Sequence, residues 1–461
     1  MTGGASIGIV GLGVMGRNLA LNIVDRGFAV AAYDADPAQR ARAAGDGGYA
    51  VAGDLAAMVA ALAAPRAILL MVPAGAPVDA ALDGLRPLVG RGDVMVDGGN
   101  SNFADTIRRA RAAASHGIGY VGLGVSGGDD GARHGPALMA GGDVPAWQRV
   151  GPIFSAIAAR AAGVPCCDLV GADGAGHFVK MAHNGIEYAQ MQLIAEAYLV
   201  LRHRLGMDLR AIADAVVGWN RGDGAAYLLQ ITADILRTVD PDGGDPLLDR
   251  VADRTGHKGT GVWTVETALA LGVPVPTIAA AVWARAISAS RDAARTSPSF
   301  PAAGAASAST DDVGRALRAA SMVAYAEGFD LIAAGAARHG WTTDRARVAE
   351  LWREGCIVRA AALDRIAAAF RGEPGGHGLL DRAAIAGPLA EALPAWRRLL
   401  VDAAGAGLPV PAFAAALAHL SARTAPEVGA RLVAAQRDCF GAHGFHRIDR
   451  DGSHHASWTG E

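Results

Sequence analysis

One stretch near the start of the chain decides its fold: Ile7-Gly8-Ile9-Val10-Gly11-Leu12-Gly13-Val14-Met15-Gly16. The apolar run predicts a buried strand, and the glycines after it have the spacing of a dinucleotide-binding loop that opens a helix. The first glycine permits a tight turn, the second lets the backbone approach a pyrophosphate, and the third lets the helix pack on the strand. Glycines also serve ordinary turns. Here the strand before them and Asp34, which ends the next apolar run, favour the dinucleotide loop.

Three further apolar runs follow this loop, at residues 29–33, 67–72 and 94–97. They alternate with amphipathic segments, and each is followed by glycine, proline or a helix-capping residue. This alternation predicts an α/β domain built on a parallel sheet.

The second part of the chain has a different pattern. From Phe178 to about Val433, apolar residues recur every three or four positions in segments rich in Ala, Leu and Arg, which predicts helices throughout. The last 30 or so residues place histidines and arginines among glycines and aromatics, unlike the helices before them. We therefore expect three parts: a Rossmann domain at 1–175, an all-helical domain at 176–430 and a C-terminal tail at 431–461.

The helical part contains a weak duplication. Glu196-Ala-Tyr-Leu and Val217-Gly-Trp219 are echoed downstream by Glu327-Gly-Phe-Asp and Glu350-Leu-Trp352. Ala-rich helices also resemble one another by chance, so the pattern indicates a repeat without establishing it.

Composition excludes several classes of function. Acidic and basic residues nearly cancel, to a formal net charge of -3, with no run of like charge that would attract nucleic acid or a membrane surface. The four cysteines have no metal-ligand spacing and are too few for a disulfide framework, which favours a reducing cytoplasm. No uncharged apolar run reaches the roughly 18 residues of a membrane span, and we predict no signal peptide.

A set of polar residues with catalytic potential lies in the segment 176–188. Lys180, His183, Asn184 and Glu187 fall at i, i+3, i+4 and i+7, so a helix places all four on one stripe. A solvated face with a Lys–Asn–Glu ladder gives the same pattern. Two features favour chemistry. The opposite face is apolar, and Gly185 costs the helix about 1 kcal/mol, which suggests that a neighbour packs closely there. A lysine whose pKa is lowered by burial and a glutamate suit one proton abstraction and one proton return.

Two glycine-rich segments, Asp97-Gly-Gly-Asn100-Ser101 and Val125-Ser126-Gly127-Gly128, should lie at the carboxyl ends of strands, where open sheets bind ligands. Either can equally be an ordinary turn. Lys258-Gly-Thr260-Gly offers an ammonium, a hydroxyl and backbone amides to a phosphate, although it is also a plausible loop. Arg285 lies on an otherwise apolar helix and needs an anion, which a neighbouring carboxylate could also supply.

Together these segments resemble the 6-phosphogluconate dehydrogenase family, in its long form with a duplicated helical domain, over nearly the whole chain. The segments that carry the resemblance are residues 11–16, 97–101, 124–133, 176–188, 258–261, 436–443 and 458–460. The resemblance implies a metal-independent enzyme that oxidises and decarboxylates 6-phosphogluconate to ribulose 5-phosphate with a nicotinamide dinucleotide.

The resemblance also implies roles for individual residues. Lys180 matches the general base and Glu187 the general acid of the family. The positions that hold the sugar acid are matched by Asn100, Ser126, Gly127, Gly128, His183 and Asn184, and those of the phosphate pocket by Tyr188, Lys258, Thr260 and Arg285. Arg437 and His443 match tail residues that enter the partner subunit's site, so the resemblance implies a homodimer with shared sites.

The cofactor positions implied by the resemblance are the loop Gly11 to Gly16, the segments Asp34-Ala35-Asp36 and Val72-Pro73-Ala74, and Asn100. Pro73 replaces a lysine that is usual in the family, and Ala140 replaces a frequent proline. The departure at residues 34–36 bears on function, because NADP-using relatives typically carry Asn-Arg-Thr there and use the arginine to bind the 2′-phosphate.

We expect NAD rather than NADP as the preferred cofactor, because Ala35 cannot bind a phosphate and Asp34 is placed to accept hydrogen bonds from ribose hydroxyls. Two alternatives stay open: Arg40 could bind the 2′-phosphate, and Asp34 could cap the next helix without touching ribose.

Two other functions are also considered. A β-hydroxyacid dehydrogenase for a small unphosphorylated acid would leave Lys258, Arg285, Arg437 and His443 without purpose. A non-catalytic dinucleotide sensor would not need Lys180 and Glu187.

Overall fold

The N-terminal part of the chain is a sheet of eight strands with helices on both faces. The structure, a computed structural model, describes residues 4–256, 259–290, 307–372 and 378–458. The strands are β1 Ile7–Val10, β2 Val30–Tyr33, β3 Ala50–Val51, β4 Ala67–Leu70, β5 Val94–Asp97, β6 Gly119–Ser126, β7 Ala137–Gly142, the short hairpin β8 Arg160–Ala161 and β9 Val164–Pro165, and β10 Cys167–Gly171. The helices are α1 Val14–Asp25, α2 Pro37–Asp46, α3 Leu55–Ala60, α4 Ala76–Leu85, α5 Phe103–Ala114, α6 Gly128–His134 and α7 Val144–Ile157.

The strand order is β10-β7-β6-β5-β4-β1-β2-β3. The strands β1 to β6 are parallel, as predicted, but β7 runs antiparallel to β6, and β10 pairs with β7 in parallel. The four apolar runs that predicted the parallel sheet are all parallel strands, and the antiparallel β7 lies beyond them. Strand β7 runs antiparallel because its connection to β6 through α6 is short, whereas parallel neighbours need a crossover of about a dozen residues or more. Apolar side chains on the two faces of the sheet form separate clusters under the helices.

The second part of the chain is helical, as predicted. Its helices are α8 Ala175–Leu199, α9 Leu209–Trp219, α10 Tyr227–Arg237, α11 Thr260–Leu271, α12 Pro276–Ser290, α13 Thr310–His339, α14 Arg345–Leu351, α15 Ala362–Gly372, α16 Ala383–Gly405 and α17 Pro411–Thr424. The long helices α8 and α13 pack together at the centre, and their buried side chains join a core that continues to the sheet edge at Ala137 and Met139.

Among the described residues, α8 to α12 and α13 to α17 are two successive sets of helices, each of which begins with its longest member, as the duplication indicated by the sequence predicts. The two glutamates of the repeat have equivalent buried environments. The Glu196 carboxylate of α8 accepts the N–H groups of Ala412 and Phe413 at the start of α17, each at 2.9 Å.

In the other repeat, the Glu327 carboxylate of α13 accepts from Thr277 N at 3.0 Å and Ile278 N at 3.1 Å at the start of α12. A carboxylate is favoured there because a helix N-terminus has free N–H groups and a positive dipole end. Each repeat thus caps a helix of the other.

The tail after α17 forms helix α18 Ala430–Gly441 and a small hairpin of β11 Phe445–His446 and β12 Ser453–His454. The Asp438 carboxylate holds these pieces together. It accepts hydrogen bonds from Gly444 N at 2.9 Å and Trp458 Nε1 at 2.8 Å, and it contacts His455 Nδ1 at 2.7 Å. Sequence reasoning treated the tail as irregular and did not predict its helix.

Candidate active site

The centre of the site is the first half of α8. Lys180, His183 and Asn184 are buried, while Glu187 one turn further on is partly exposed. Lys180 Nζ lies 3.4 Å from His183 Nδ1, and the same ring nitrogen lies 3.8 Å from Glu187 Oε2. The helix therefore brings the four polar residues onto one face, and that face is mostly shielded from water.

A close helix contact explains the glycine on this helix. A Cβ at Gly185 would lie 2.5 Å from Thr264 Cγ2 of α11, so α11 can approach α8 only where there is no side chain. Thr264 Oγ1 also donates to the Met181 carbonyl at 2.9 Å. The predicted close neighbour of Gly185 is confirmed.

Burial shifts the pKa values of the ionisable groups on this face. It lowers the pKa of Lys180 from its usual 10.5, although the nearby Glu187 opposes part of this effect. Burial raises the pKa of Glu187 from its usual 4.5, and Lys180 and Arg285 offset part of that rise. The pKa of His183 is lowered well below 6.5, first by burial and then by Lys180. The site therefore favours a neutral amine, a neutral imidazole and a protonated carboxyl more than water does.

The sheet places two more predicted segments beside α8. Ser126 is the last residue of β6, and its Oγ lies 3.1 Å from His183 Nε2. Gly127 follows with φ +119 and Gly128 with φ +67, a left-handed conformation that favours glycine. A Cβ at Gly124 would lie 2.6 Å from Lys180 Cβ, so β6 packs directly under α8.

Asn100 lies exposed in the turn after β5, at the carboxyl edge of the sheet. The turn is supported from below by the buried Asp97, whose Oδ2 accepts from Ser101 Oγ at 2.7 Å. Gly99 N donates to the other carboxylate oxygen at 3.2 Å. As predicted for both glycine-rich segments, this one follows the end of a strand.

Three of the four residues predicted to bind the phosphate lie close together near the middle of α8. The Arg285 guanidinium of α12 stacks over the Tyr188 ring at 3.5 Å from its centroid. Thr260 is the first residue of α11, and a Cβ at Gly261 would lie 2.5 Å from Tyr188 Cε2. Arg285, Thr260 and Tyr188 therefore surround one region. Lys258 lies outside the described residues.

The glycine loop has the form that a dinucleotide requires. Gly11 has φ +100, and a Cβ at Gly16 would lie 2.0 Å from the Gly11 carbonyl oxygen, so α1 packs against the turn only because both are glycine. No atom lies within 4 Å of a Cβ built at Gly13, so the loop is open on that side. These residues fit a bound pyrophosphate. Val72, Pro73 and Ala74 follow β4 on the adjacent side, where Gly11 lies against Met71.

Asp34 is held against this loop, because its Oδ2 accepts from Leu12 N at 2.6 Å and its Oδ1 from Asp36 N at 2.8 Å. Asp36, not Asp34, is the N-cap of α2 and accepts from Ala38 N at 2.8 Å. The alternative that Asp34 caps the helix is therefore wrong. Arg40 NH1 donates to the carbonyls of Asp34 at 2.8 Å and Ala35 at 3.1 Å.

Arg437 and His443 are exposed residues of the tail. In the described part of the chain, neither side chain forms a hydrogen bond or an ion pair, whereas His443 packs its ring against Phe440 at a centroid distance of 5.9 Å. Within this single chain they do not join Lys180. Across the described residues, no group of three or more His, Cys, Asp or Glu is arranged to hold a metal ion. No described helix is long and apolar enough to cross a membrane.

Comparison with known proteins agrees with this geometry. The family described as the NAD binding domain of 6-phosphogluconate dehydrogenase matches residues 6–171, and the one described as its C-terminal domain matches residues 176–458. The decarboxylating 6-phosphogluconate dehydrogenase of Treponema pallidum is 45% identical over 99% of this chain and 97% of its own length. That of Ovis aries is 41% identical, over 99% and 97%.

The chain belongs to the 6-phosphogluconate dehydrogenase family.

A solved structure supports the same assignment. The 6-phosphogluconate dehydrogenase of Plasmodium falciparum, studied in its apo form, with NADP+ and with 6-phosphogluconate, superposes with a TM-score of 0.92 and 32% identity, and the match covers 98% of this chain and 100% of that one. The family resemblance predicted from the motifs is confirmed, and the chain is an oxidoreductase of this family.

Sequence reasoning missed several residues that surround the site of this 6-phosphogluconate dehydrogenase family member. Trp352 packs its ring 5.4 Å from His183, and the buried Arg109 lies beneath the Asn100 turn. His177, one helical turn before Lys180, contacts Thr106 Oγ1 through Nδ1 at 2.7 Å. Of these residues, only Trp352 belongs to a pattern seen in the sequence, the weak duplication. Arg109 and His177 lie next to predicted motifs, but nothing in their spacing indicates burial.

Proposed function

We propose that this chain catalyses the oxidative decarboxylation of 6-phosphogluconate to ribulose 5-phosphate and carbon dioxide. The observation that carries the proposal is the placement of the buried Lys180 and the partly buried Glu187 on one face of α8, with pKa values moved in opposite directions. Paired groups of this kind suit acid–base catalysis near neutral pH. The test is to incubate the purified protein with 6-phosphogluconate and NAD or NADP. Stoichiometric reduced dinucleotide, carbon dioxide and ribulose 5-phosphate are expected, and dinucleotide reduction without carbon dioxide would contradict the proposal.

The substrate would lie across the carboxyl edge of the sheet. We assign the sugar acid to Asn100, Ser126, Gly127, Gly128, His183 and Asn184, and the phosphate to Tyr188, Lys258, Thr260 and Arg285. The Arg285 guanidinium supports the second assignment because it has no carboxylate partner at ion-pair distance among the described residues and lies only 3.5 Å from the Tyr188 ring centroid. A small unphosphorylated acid would leave this cation unused.

Lys180 acts first in this mechanism. Its neutral amine takes the proton from the C3 hydroxyl, and a bound nicotinamide would accept the hydride from C3. The resulting ammonium lies beside the C3 oxygen and donates its proton there as the C1 carboxylate leaves as carbon dioxide, which gives the neutral enediol. Glu187, whose pKa burial raises, then protonates the carbon that bore the carboxylate, which becomes C1 of ribulose 5-phosphate. Lys180 takes back the hydroxyl proton as the ketone forms, and transfer of that proton to Glu187 resets the pair.

The dinucleotide would be held by residues 11–16, 34–36 and 72–74 and by Asn100. Within this assignment we propose a preference for NAD. The Asp34 carboxylate lies next to the Leu12 amide, so a 2′-phosphate on the adenosine ribose would meet its charge at close range. The cation that could offset this is Arg40, and two backbone carbonyls already occupy its NH1.

The active assembly would be a homodimer with shared sites, in which the 431–461 tail of one subunit brings Arg437 and His443 to the other. Exposed apolar side chains on the tail support this assembly. Leu432, Val433, Phe440 and Ile448 are 65%, 55%, 74% and 95% exposed, which is unfavourable for apolar side chains unless another surface covers them.

All four cysteines are free, which is compatible with the predicted cytoplasmic location.

A further inference from the structure

A buried arginine connects the two loops that face the dinucleotide. Arg109 of α5 is 3% exposed and lies below the carboxyl edge of the sheet, between the turn after β5 and the turn after β4. On one side its NH1 lies 3.4 Å from Ser101 Oγ and 3.5 Å from Asp97 Oδ2. On the other side its NH2 donates to the Gly75 carbonyl at 3.0 Å.

The turn after β4 is also held through α4, the helix that follows it. Arg109 Nε and NH2 form a bidentate pair with the Asp79 carboxylate, at 2.9 and 3.0 Å, in the first turn of α4. This pairing lowers the pKa of Asp79 to about 2. A guanidinium has five donors in a rigid fork, so it can hold both loops at a set separation, which a flexible lysine ammonium cannot.

We propose that Arg109 is a positioning residue that fixes the loop of Val72 to Gly75 relative to the turn that carries Asn100, and thereby sets how tightly the nicotinamide half of the cofactor is held. The inference rests on the proposed function in one respect, the assignment of these two loops to the cofactor. Arg109 need not touch the cofactor itself, since it acts through the Gly75 carbonyl and through Ser101.

The neighbouring Arg108 provides a matched control. It pairs with the same Asp79 carboxylate, at 3.0 Å, but its side chain is 57% exposed, and its contacts in the described residues do not include Gly75, Ser101 or Asp97. If Asp79 pairing alone mattered, substituting either arginine would have similar effects. If the link between loops matters, only Arg109 would be sensitive.

The experiment compares Arg109→Met and Arg109→Lys with Arg108→Met, in the full-length protein. Calorimetry measures the Kd of NADH, NADPH and, as a probe of the adenosine half alone, AMP. We expect Arg109→Met to raise the Kd of the preferred dinucleotide about tenfold or more, as for the loss of charge-assisted hydrogen bonds, with the Kd of AMP within twofold of the parent. Arg109→Lys should recover part of the loss, and Arg108→Met should bind like the parent.

An equal loss for AMP and for dinucleotide would overturn the proposal, because it would indicate general damage to the domain, and so would unchanged binding of all probes. Should Arg109→Met fail to fold, Ser101→Ala serves instead, since it removes one contact of the guanidinium, together with the hydrogen bond from Ser101 to Asp97, and leaves the charges in place. It should weaken dinucleotide binding with no effect on AMP, and no change would contradict the link. These binding measurements need no turnover, so they remain interpretable if 6-phosphogluconate is not the substrate.

Discussion

Ser126 Oγ and His183 Nε2 lie 3.1 Å apart, so the last residue of a strand meets the helix that carries Lys180. The other ring nitrogen of His183 faces Lys180 Nζ at 3.4 Å. Burial lowers the pKa of Lys180 and so favours the neutral amine that the proposed proton abstraction requires. Helix α8 and the carboxyl edge of the sheet are therefore in direct contact at the candidate site.

The roles of the two catalytic groups should separate by substitution. Lys180→Met should abolish both oxidation and decarboxylation, whereas Glu187→Ala should lose turnover but still bind substrate and cofactor, because only the lysine acts at the hydride step. Removing a positioned acid or base costs about 10²-fold to 10⁴-fold in rate. Steady-state rates and substrate Kd values measure this, and Lys180→Met activity within tenfold of the parent would refute the assignment of the base.

The pH profile of kcat/KM should be bell-shaped. Activity should fall at low pH and at high pH, since only the free amine of Lys180 accepts a proton and only the protonated carboxyl of Glu187 donates one, and burial moves the two pKa values toward each other. In Glu187→Gln, single-turnover dinucleotide reduction should keep the acid limb, because this step does not need the carboxyl. A reduction rate in that variant that does not depend on pH would contradict the role of Lys180.

Shared sites can be tested by mixing two inactive proteins, Lys180→Met and Arg437→Ala, under conditions in which subunits exchange. A hybrid dimer assembles one site with both residues intact, so random exchange should restore about a quarter of the parent's sites. The controls are each variant alone and a mixture without exchange. Demonstrated exchange without recovered activity would exclude a composite site.

The NAD preference should reverse on substitution of two residues. The parent should favour NAD over NADP by about 10² in kcat/KM, as the loss of a charge-assisted phosphate contact and the repulsion by Asp34 predict. Asp34→Asn with Ala35→Arg should shift the ratio toward NADP. Arg40→Ala is the control and should leave kcat/KM for NADP unchanged. If the parent protein has a higher kcat/KM with NADP than with NAD, the proposal is wrong.

Because α11 packs closely against α8 at Gly185, a larger side chain at this position should destabilise the protein. A Cβ there would lie 2.5 Å from Thr264 Cγ2, so Gly185→Ala should lower the free energy of unfolding by about 1–3 kcal/mol. Gly218→Ala is the matched control, because a Cβ at this exposed helical glycine has no neighbour within 4 Å. Adding Thr264→Ala to Gly185→Ala should restore part of the loss in urea unfolding. If Gly185→Ala is as stable as Gly218→Ala, the close packing is not present in solution.

Local rules predicted the parts of this protein that depend on neighbouring residues. Strands, the glycine loop and the stripe from Lys180 to Glu187 follow from spacing alone. The antiparallel β7 and the helix of the tail escaped prediction because pairing direction and the burial of Asp438 depend on residues distant in sequence. Arg109 escaped for the same reason, since its adjacent Arg108 is chemically identical and only the fold buries one of them.

The reciprocal carboxylates Glu196 and Glu327 have a consequence for how the helical region can exist. Each is completely buried, and the backbone N–H groups that bind it come from the opposite repeat. A fragment that contained only one repeat would expose an apolar face. It would also leave the carboxylate of its glutamate without the N–H groups of the other repeat, at a cost of several kcal/mol. The two repeats are therefore mutually dependent for folding, and neither is a module that could be excised, shuffled or expressed by itself.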